Sequence, residues 1–222
     1  MSEGISEFKN SNKLTQWVKY FLYAQVIIAF VSIVSGVMEY QLLTDYKNGV
    51  YFDREQAVAD GEVNDRRQMI IGIIYIVNYV LSGILILRWI YRANENSRQL
   101  GAKDMEFTPG WSIGFYFIPI MALFKPYQAM KEIWQTSHSI DTWQKSPVSP
   151  MLYIWWFVWL LNGFVGQVIF RFDGDGIDEI MELNLITQFS NVLDIVLAAV
   201  TFYIVLKIHN AQSAQADKLV YQ

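Results

Sequence analysis

The stretch Tyr91–Ser137 reads YRANENSRQLGAKDMEFTPGWSIGFYFIPIMALFKPYQAMKEIWQTS. It mixes charged residues, prolines and tryptophans more densely than any other part of the chain, and it lies between apolar segments of membrane length. Leu100-Gly101 predicts the C-terminal cap of the helix that enters this stretch. Thr108 predicts a new helix start, because its hydroxyl can accept from the free N–H groups of a first turn. Pro109 fits the first helical position, where its missing N–H has no cost.

The run that follows, Trp111–Phe124, is apolar but contains only 14 residues, and Pro119 interrupts it. A membrane-crossing helix needs about 20 apolar residues, so this run predicts a segment that does not cross. Pro126 then opens a second short helix, whose polar residues are expected to lie largely off its apolar face. The apolar face comprises Tyr127, Met130, Ile133 and Trp134, and the polar residues are Gln128, Lys131, Glu132 and Gln135. We predict a short re-entrant or interfacial helical hairpin over 109–137 on the cytoplasmic side.

Four other windows are apolar over the length that a bilayer core of about 30 Å requires. The composition agrees, since 53% of the 222 residues are hydrophobic, 16% are aromatic and only 17% are charged. We predict an all-α integral membrane protein in which four transmembrane helices form a four-helix bundle. The predicted spans are 17–38, 69–91, 151–170 and 185–206.

The polar ends and connections complete the predicted organisation. Residues 1–16 form a cytoplasmic tail without the layout of a cleavable signal peptide. Residues 17–210 form a single helical membrane domain, and 211–222 form a second cytoplasmic tail. The first connection, 39–68, is predicted to be a solvated loop rather than a binding site. Within it, Arg54–Ala59 is predicted to be weakly helical, with a stop or turn at Asp60-Gly61.

Lysine and arginine are unevenly distributed about the four spans. If Trp111–Phe124 does not cross, 12 of the 17 Lys and Arg residues fall on one side of the membrane. Cytoplasmic segments carry the excess of these residues, so both termini should be cytoplasmic. If the run crossed, Lys125, Lys131 and Lys145 would move outside and the asymmetry would fall.

Asp194 lies near the centre of the fourth span, where an ionisable side chain is costly unless it is paired or hydrated. Amide side chains fall near the same depth, and together they predict an intramembrane polar cluster. Its members are Asp194, Asn191, Asn78, Asn162 and Gln25. Two interpretations stay open: the groups satisfy one another and fix helix packing, or they line a site for a proton, a cation or a small ligand.

Patterns for catalysis and metal binding are scarce. His138 and His209 are the only histidines, and the chain has no cysteine and no HExxH, GxSxG, Walker or GxGxxG pattern. The acidic turn at 173–179 fails the EF-hand pattern, because Ile177 and Asp178 occupy its fifth and sixth positions. This leaves a tight turn or a weak external cation site. We expect no enzyme activity, no catalytic residues, no cofactor, no metal and no nucleic-acid partner.

A series of short motifs runs through the middle of the chain. They are Arg92 and Asn96, Leu100-Gly101-Ala102, Phe107-Thr108-Pro109-Gly110-Trp111, Ile118-Pro119, Lys125-Pro126-Tyr127-Gln128-Ala129-Met130, Glu132-Ile133-Trp134 and Trp155-Trp156. On these motifs the sequence resembles the bacterial membrane family called domain of unknown function 4328, over most of the chain from the first span to the last. The resemblance implies a multi-span protein of the bacterial inner membrane, and it supplies no activity and no catalytic residue.

Two functional hypotheses follow. The first is a non-enzymatic membrane module whose cytoplasmic 92–137 platform binds lipid headgroups, a protein partner or a second copy of the chain. The platform residues are Arg92, Asn96, Trp111, Pro119, Lys125, Tyr127 and Trp134. This first hypothesis predicts that Trp111, Tyr127 and Trp134 share one accessible or lipid-contacting face. The second hypothesis is a small transporter or channel, which predicts a hydrated cavity that reaches Asp194.

Overall fold

A computed structural model describes residues 8–220. The regular secondary structure of these residues is entirely helical, with no strand among them. The α-helices are α1 (Asn12–Lys47), α2 (Arg54–Gln99), α3 (Pro109–Gly114), α4 (Lys125–His138), α5 (Pro150–Phe170) and α6 (Ile177–Val220). Short 3₁₀ turns occupy Phe115–Phe117, Met121–Leu123 and Trp143–Lys145.

Four of these helices, α1, α2, α5 and α6, are long and apolar enough to cross a membrane. Between 11% and 39% of each apolar window is buried inside the protein, so most of this apolar surface needs lipid around it. The chain is therefore an integral, multi-pass membrane protein. The predicted fold class, four apolar spans with short helices between them, is confirmed.

The long helices extend well beyond the predicted spans. α1, α2 and α6 contain 36, 46 and 44 residues. Only residues 48–53 link α1 to α2, so most of the predicted loop 39–68 is helical instead. The helix predicted over Arg54–Ala59 is present, but the predicted stop at Asp60-Gly61 is wrong because α2 continues through it. Outside the apolar windows, polar contacts join the extended ends of α1 and α2. The Tyr46 hydroxyl of α1 donates to the Ala57 carbonyl of α2 at 2.6 Å.

The segment between α2 and α4 follows the predicted start signals. Thr108 caps α3 by accepting from the Trp111 N–H at 3.3 Å, and Pro109 occupies the first turn. Pro119 lies between two 3₁₀ turns, and α4 begins at Lys125. These local predictions are confirmed, whereas the depth of the 109–137 hairpin in the bilayer stays a prediction.

The described residues group into two compact units. Among these residues, unit 1 consists of 8–21, 81–157 and 199–220, and unit 2 consists of Leu22–Val80 and Val158–Ala198. The predicted division into two tails and one membrane domain over 17–210 stays a prediction, although α1 and α6 pass both of its limits.

Each unit has its own apolar core. In unit 1, large side chains that are at most 2% exposed include Trp89, Ile90, Ile133, Leu152 and Ile208. In unit 2, α5 and α6 pack together through Val158, Val165 and Leu193, with Leu161, Ile169, Ile186 and Leu197 against them.

The predicted glycine cap ends α2. Gly101 has a φ of +102°, in the left-handed region that residues with a Cβ rarely adopt. Its N–H donates to the Arg98 carbonyl at 3.0 Å, and the Ala102 N–H donates to the Ser97 carbonyl at 3.1 Å. This bonding is a Schellman motif, which satisfies the last carbonyls of the helix.

Replacing Gly101 with alanine should therefore lower the thermal unfolding midpoint by about 2–8 °C, because a left-handed backbone costs about 1–2 kcal/mol in other residues. Gly83→Ala is the matched control, since Gly83 lies inside α2 and a Cβ there meets no atom within 4 Å. Circular dichroism in detergent micelles measures both midpoints. Equal midpoints in the two variants would contradict the role of the cap.

Candidate functional site

In unit 1, side chains of α2 bind the backbone of the loop that precedes α3. The Asn94 amide donates to the Phe107 carbonyl at 2.9 Å. The Arg98 guanidinium donates to the same carbonyl at 2.8 Å and to the Met105 carbonyl at 3.2 Å. These side chains thereby supply hydrogen-bond donors to the backbone carbonyls of Met105 and Phe107, which lie outside any helix.

Glu132 of α4 satisfies the N–H side of the same loop. Its carboxylate accepts from the backbone N–H of Glu106 and, at 3.1 Å, from that of Phe107. Glu132 and Phe107 are both only 4% exposed. We call these contacts the loop clasp; it consists of Asn94, Arg98, Glu132 and the backbone of residues 105–107.

A second polar network joins α2, α4 and α6. The Gln212 amide donates to the Ala93 carbonyl at 2.8 Å and to the Ser97 and Ser137 hydroxyls at 3.1 Å. The Thr136 hydroxyl donates to that of Ser97 at 2.8 Å. Because these polar side chains are buried and mutually bonded, they fix how the three helix segments pack.

α4 is buried on more than its apolar face. Residues 132–137 are all buried, and the Gln135 amide donates to the Ser146 carbonyl at 2.7 Å. Glu132 and Gln135, which were expected to lie off the apolar face of α4, are therefore buried as well. These polar side chains can be buried because loop backbone groups supply hydrogen-bond partners for them.

The structure divides the predicted platform residues between the interior and the surface of unit 1. Asn96 and Trp134 are 1% and 7% exposed. Of the others, Trp111 and Pro119 are exposed, and Arg92, Lys125 and Tyr127 are half-buried. Because Trp134 is buried, the three aromatic residues of the platform do not share one accessible face. A binding role of the platform stays a prediction and rests on its exposed residues.

The exposed part of the hairpin is apolar. Phe117, Ile120 and Leu123 are 73%, 75% and 57% exposed. Lys125 follows, with its ammonium 3.0 Å from the Glu106 carboxylate. We call the exposed apolar residues the hairpin rim; they are Trp111, Phe117, Ile120, Met121, Leu123 and Phe124.

In unit 2, the predicted polar cluster forms around Asp194, which is 1% exposed. The Asn162 amide donates to one carboxylate oxygen at 2.6 Å, and the Tyr75 hydroxyl donates to the other at 2.9 Å. Gln25 is a third hydrogen-bond partner. The Ser190 hydroxyl supports Asn162 by donating to it at 3.0 Å. Neutral donors thus surround the carboxylate, and no ion pair to it forms within residues 8–220.

The membership of this cluster differs from the prediction. Asn78 and Asn191 are buried, but they are not among the hydrogen-bond partners of Asp194. Tyr75 and Ser190 are the members that the sequence reasoning missed. A signal existed for both, since Ser190 precedes Asp194 by one helical turn and Tyr75 precedes Asn78 by nearly one.

The sequence of this chain matches one family over most of its length. That family, described as domain of unknown function (DUF4328), matches residues 53–210. The chain belongs to the DUF4328 family. The resemblance drawn from the motifs is confirmed, but the match begins after α1 rather than in the first span. Comparison with curated proteins and with solved structures gives no match.

Several of the motif residues on which the DUF4328 resemblance was drawn have structural roles in unit 1. Gly101 caps α2, Thr108 caps α3 and Glu132 belongs to the loop clasp. The Asn96 amide donates to the Ser11 hydroxyl at 3.1 Å. These residues form a scaffold that holds the hairpin, and only part of the motif reaches the surface.

A cavity of about 280 Å³ lies beside the Asp194 cluster in unit 2. Glu39 lines one end, and its carboxylate accepts from Asn64 at 3.2 Å and from Asn184 at 2.7 Å. Tyr75 lines the other end, and its hydroxyl donates to Asp194. Tyr75 therefore lines the cavity and also contacts the buried carboxylate through one hydrogen bond.

The acidic turn before α6 is closely packed. A Cβ on Gly174 would lie 2.6 Å from the Glu179 Cβ, and one on Gly176 would meet the Glu179 carboxylate. Among residues 8–220, no three His, Cys, Asp or Glu side chains gather as metal ligands. The packing favours the tight-turn interpretation of 173–179.

Glu132 should make the stability of this DUF4328 protein depend on pH. Burial raises the pKa of its carboxyl above the ordinary 4.5, and the N–H groups of the loop and Arg98 only partly oppose this. The folded protein then holds a proton that the unfolded chain has released, so the contribution of Glu132 to stability falls as pH rises through the raised pKa. As pH rises from about 4.5 through the raised pKa of Glu132, the wild-type unfolding midpoint should fall more steeply than that of Glu132→Gln. Parallel pH profiles would contradict this.

Proposed function

We propose that this DUF4328 protein is a non-enzymatic module of the bacterial cytoplasmic membrane that attaches to lipid through the hairpin rim of its 92–137 platform. The exposure of the rim carries the proposal, since Phe117 and Ile120 expose about three quarters of their surface. Contiguous exposed apolar patches mark membrane or protein contact sites. With both termini and the hairpin on the cytoplasmic side, the rim would enter the cytoplasmic leaflet.

Charge beside the rim favours lipid over a soluble partner. Lys131 lies on the helix that follows the rim and is only half-buried. Lys125 lies on the same helix and is paired with the exposed Glu106. A basic residue near an anionic membrane surface contributes about 1 kcal/mol to attachment. The loop clasp holds Glu132 of the same helix, so the rim is presented by a rigid support. A protein partner or a second copy of the chain would instead cover the rim from the water side.

Single cysteines test this directly, because the chain contains none. Inverted vesicles that contain Phe117→Cys or Ile120→Cys would be treated with a membrane-impermeant maleimide. Lys103→Cys is the water-facing control. The rim cysteines should react at least about tenfold more slowly than the control, since lipid excludes the reagent. Solubilisation and denaturation should equalise the rates.

Three outcomes would overturn parts of the proposal. Rim cysteines that react as fast as Lys103→Cys in intact vesicles would reject lipid attachment. Protection that cross-linking traces to another polypeptide would replace lipid with a protein partner. Labelling of Lys145→Cys from outside whole cells would reject the topology.

A second candidate, a small transporter or channel, is favoured by the unit 2 cavity. A cation or a small ligand would enter the cavity beside Glu39, and a proton would pass on to Asp194 through the Tyr75 hydroxyl. Vesicles that contain the purified protein and an internal pH dye would measure proton flux. Asp194→Asn should abolish the flux and keep the fold, and unchanged flux would remove Asp194 as a proton site.

A further inference from the structure

A groove of about 530 Å³ lies in unit 1 between the start of α1 and the second half of α2. Basic residues line one end of it, namely Lys13, Arg88 and Arg92. Apolar residues line the other end, namely Leu14, Trp17, Phe21, Leu81, Ile84 and Leu85. The polar residues Asn10 and Ser11 complete the lining, which contains no acidic side chain in the described part of the chain.

The positive charge of this groove is largely uncompensated. Arg92 lies 3.5 Å from the Glu95 carboxylate, which Lys9 also approaches to 3.6 Å. Lys13 and Arg88 pair with no acidic side chain within residues 8–220. Two cations without counter-ions next to an apolar surface therefore favour an anionic ligand that also has an apolar part.

The groove has the dimensions of the outer part of a lipid. From Lys13 to Phe21, α1 rises by about 12 Å, and from Leu81 to Arg92, α2 rises by about 16 Å. Trp17 is 56% exposed between these levels, as expected for a ring at a membrane–water boundary. The N-terminal end of α1 adds its partial positive charge at the basic end.

We propose that this groove binds one anionic glycerophospholipid from the surrounding leaflet. Lys13, Arg88 and Arg92 bind the phosphate, and an acyl chain follows the apolar end past Trp17 and Leu81. A zwitterionic lipid such as phosphatidylcholine also presents a phosphate, but its choline cation is repelled by the three basic side chains. A free phosphate leaves the apolar end of the groove exposed. The site lies outside the hairpin rim, so it stands even if rim attachment fails.

Native mass spectrometry of the full chain, released from detergent micelles, tests the proposal. Phosphatidylglycerol and phosphatidylcholine of equal chain length are the probes. The wild type should retain one phosphatidylglycerol at least about tenfold more strongly than phosphatidylcholine, because the choline cation offsets about 1 kcal/mol or more of the attraction to the basic side chains. The triple variant Lys13→Gln, Arg88→Gln, Arg92→Gln should lose about 10–100-fold of this affinity.

A matched triple variant controls for net charge: Lys103→Gln, Lys145→Gln, Lys218→Gln removes the same charge outside the groove and should bind normally. Arg88→Gln alone, at an exposed position, keeps the test valid if the triple variant does not fold. Equal loss in the two triple variants would overturn the proposal, as would equal retention of the two lipids. Displacement of phosphatidylglycerol by millimolar inorganic phosphate would show a soluble-anion site and reject the lipid assignment.

Discussion

Replacing Glu132 with alanine should lower the thermal unfolding midpoint by about 5–15 °C. The change removes, from a buried position, the acceptor of two backbone N–H groups, those of Glu106 and Phe107. Each buried donor left without a partner costs about 1–3 kcal/mol. One kcal/mol corresponds to about 2–4 °C in a chain of this size. Differential scanning fluorimetry or circular dichroism in one detergent measures the loss.

The neighbouring residue supplies the control for this prediction. Lys131→Ala removes a half-buried side chain of the same helix that has no part in the loop clasp. It should shift the midpoint by less than about 2 °C. Glu132→Gln keeps the size and one acceptor oxygen and should fall between the two. A Glu132→Ala midpoint equal to that of Lys131→Ala would show that the clasp contributes little.

Replacing Asp194 with leucine should cost about 2–4 kcal/mol of stability, because three donors lose their acceptor in the interior of unit 2. Those donors are Tyr75, Asn162 and Gln25. Hydrogen bonds between membrane helices contribute about 0.6–1.7 kcal/mol each, which sets the range. Denaturant unfolding in mixed micelles, or resistance to thermal aggregation, measures the effect.

Asp194→Asn separates the carboxylate charge from its packing role. The amide has the same shape and keeps one acceptor oxygen, so the fold and most of the stability should persist. Val192→Ala, at a 47% exposed position on the same helix, is the control for a change of volume facing lipid. If Asp194→Asn is as unstable as Asp194→Leu, the charge itself stabilises unit 2 and the neutral-donor account fails.

The sequence was sufficient for those features that follow from local chemistry. A helix that crosses lipid requires about 20 apolar residues, so the four apolar windows of the sequence were sufficient to predict the four spans. Thr108, Pro109 and Gly101 act on their own helix ends, and the structure places each cap where the local pattern predicts it.

Features that depend on distant partners were missed. Nothing adjacent to Glu132 indicates that a loop 25 residues away supplies N–H groups to its carboxylate. Tyr75 was missed because a tyrosine in an apolar helix fits lipid as well as it fits a carboxylate. The ends of α1 and α2 were missed because paired polar helices can continue in water, where the apolar pattern stops.

The loop clasp has a consequence for the synthesis of the protein. Its contacts join residues 7 to 26 positions apart in the chain, whereas Gln212 reaches partners 75 to 119 positions away. Closing short loops is entropically cheap, so the clasp can form while the last helix is still on the ribosome. Arrested nascent chains without α6 should already resist chymotrypsin at Phe107. Gln212 can form its hydrogen bonds only after α6 has been synthesised, so the packing of unit 1 is completed last.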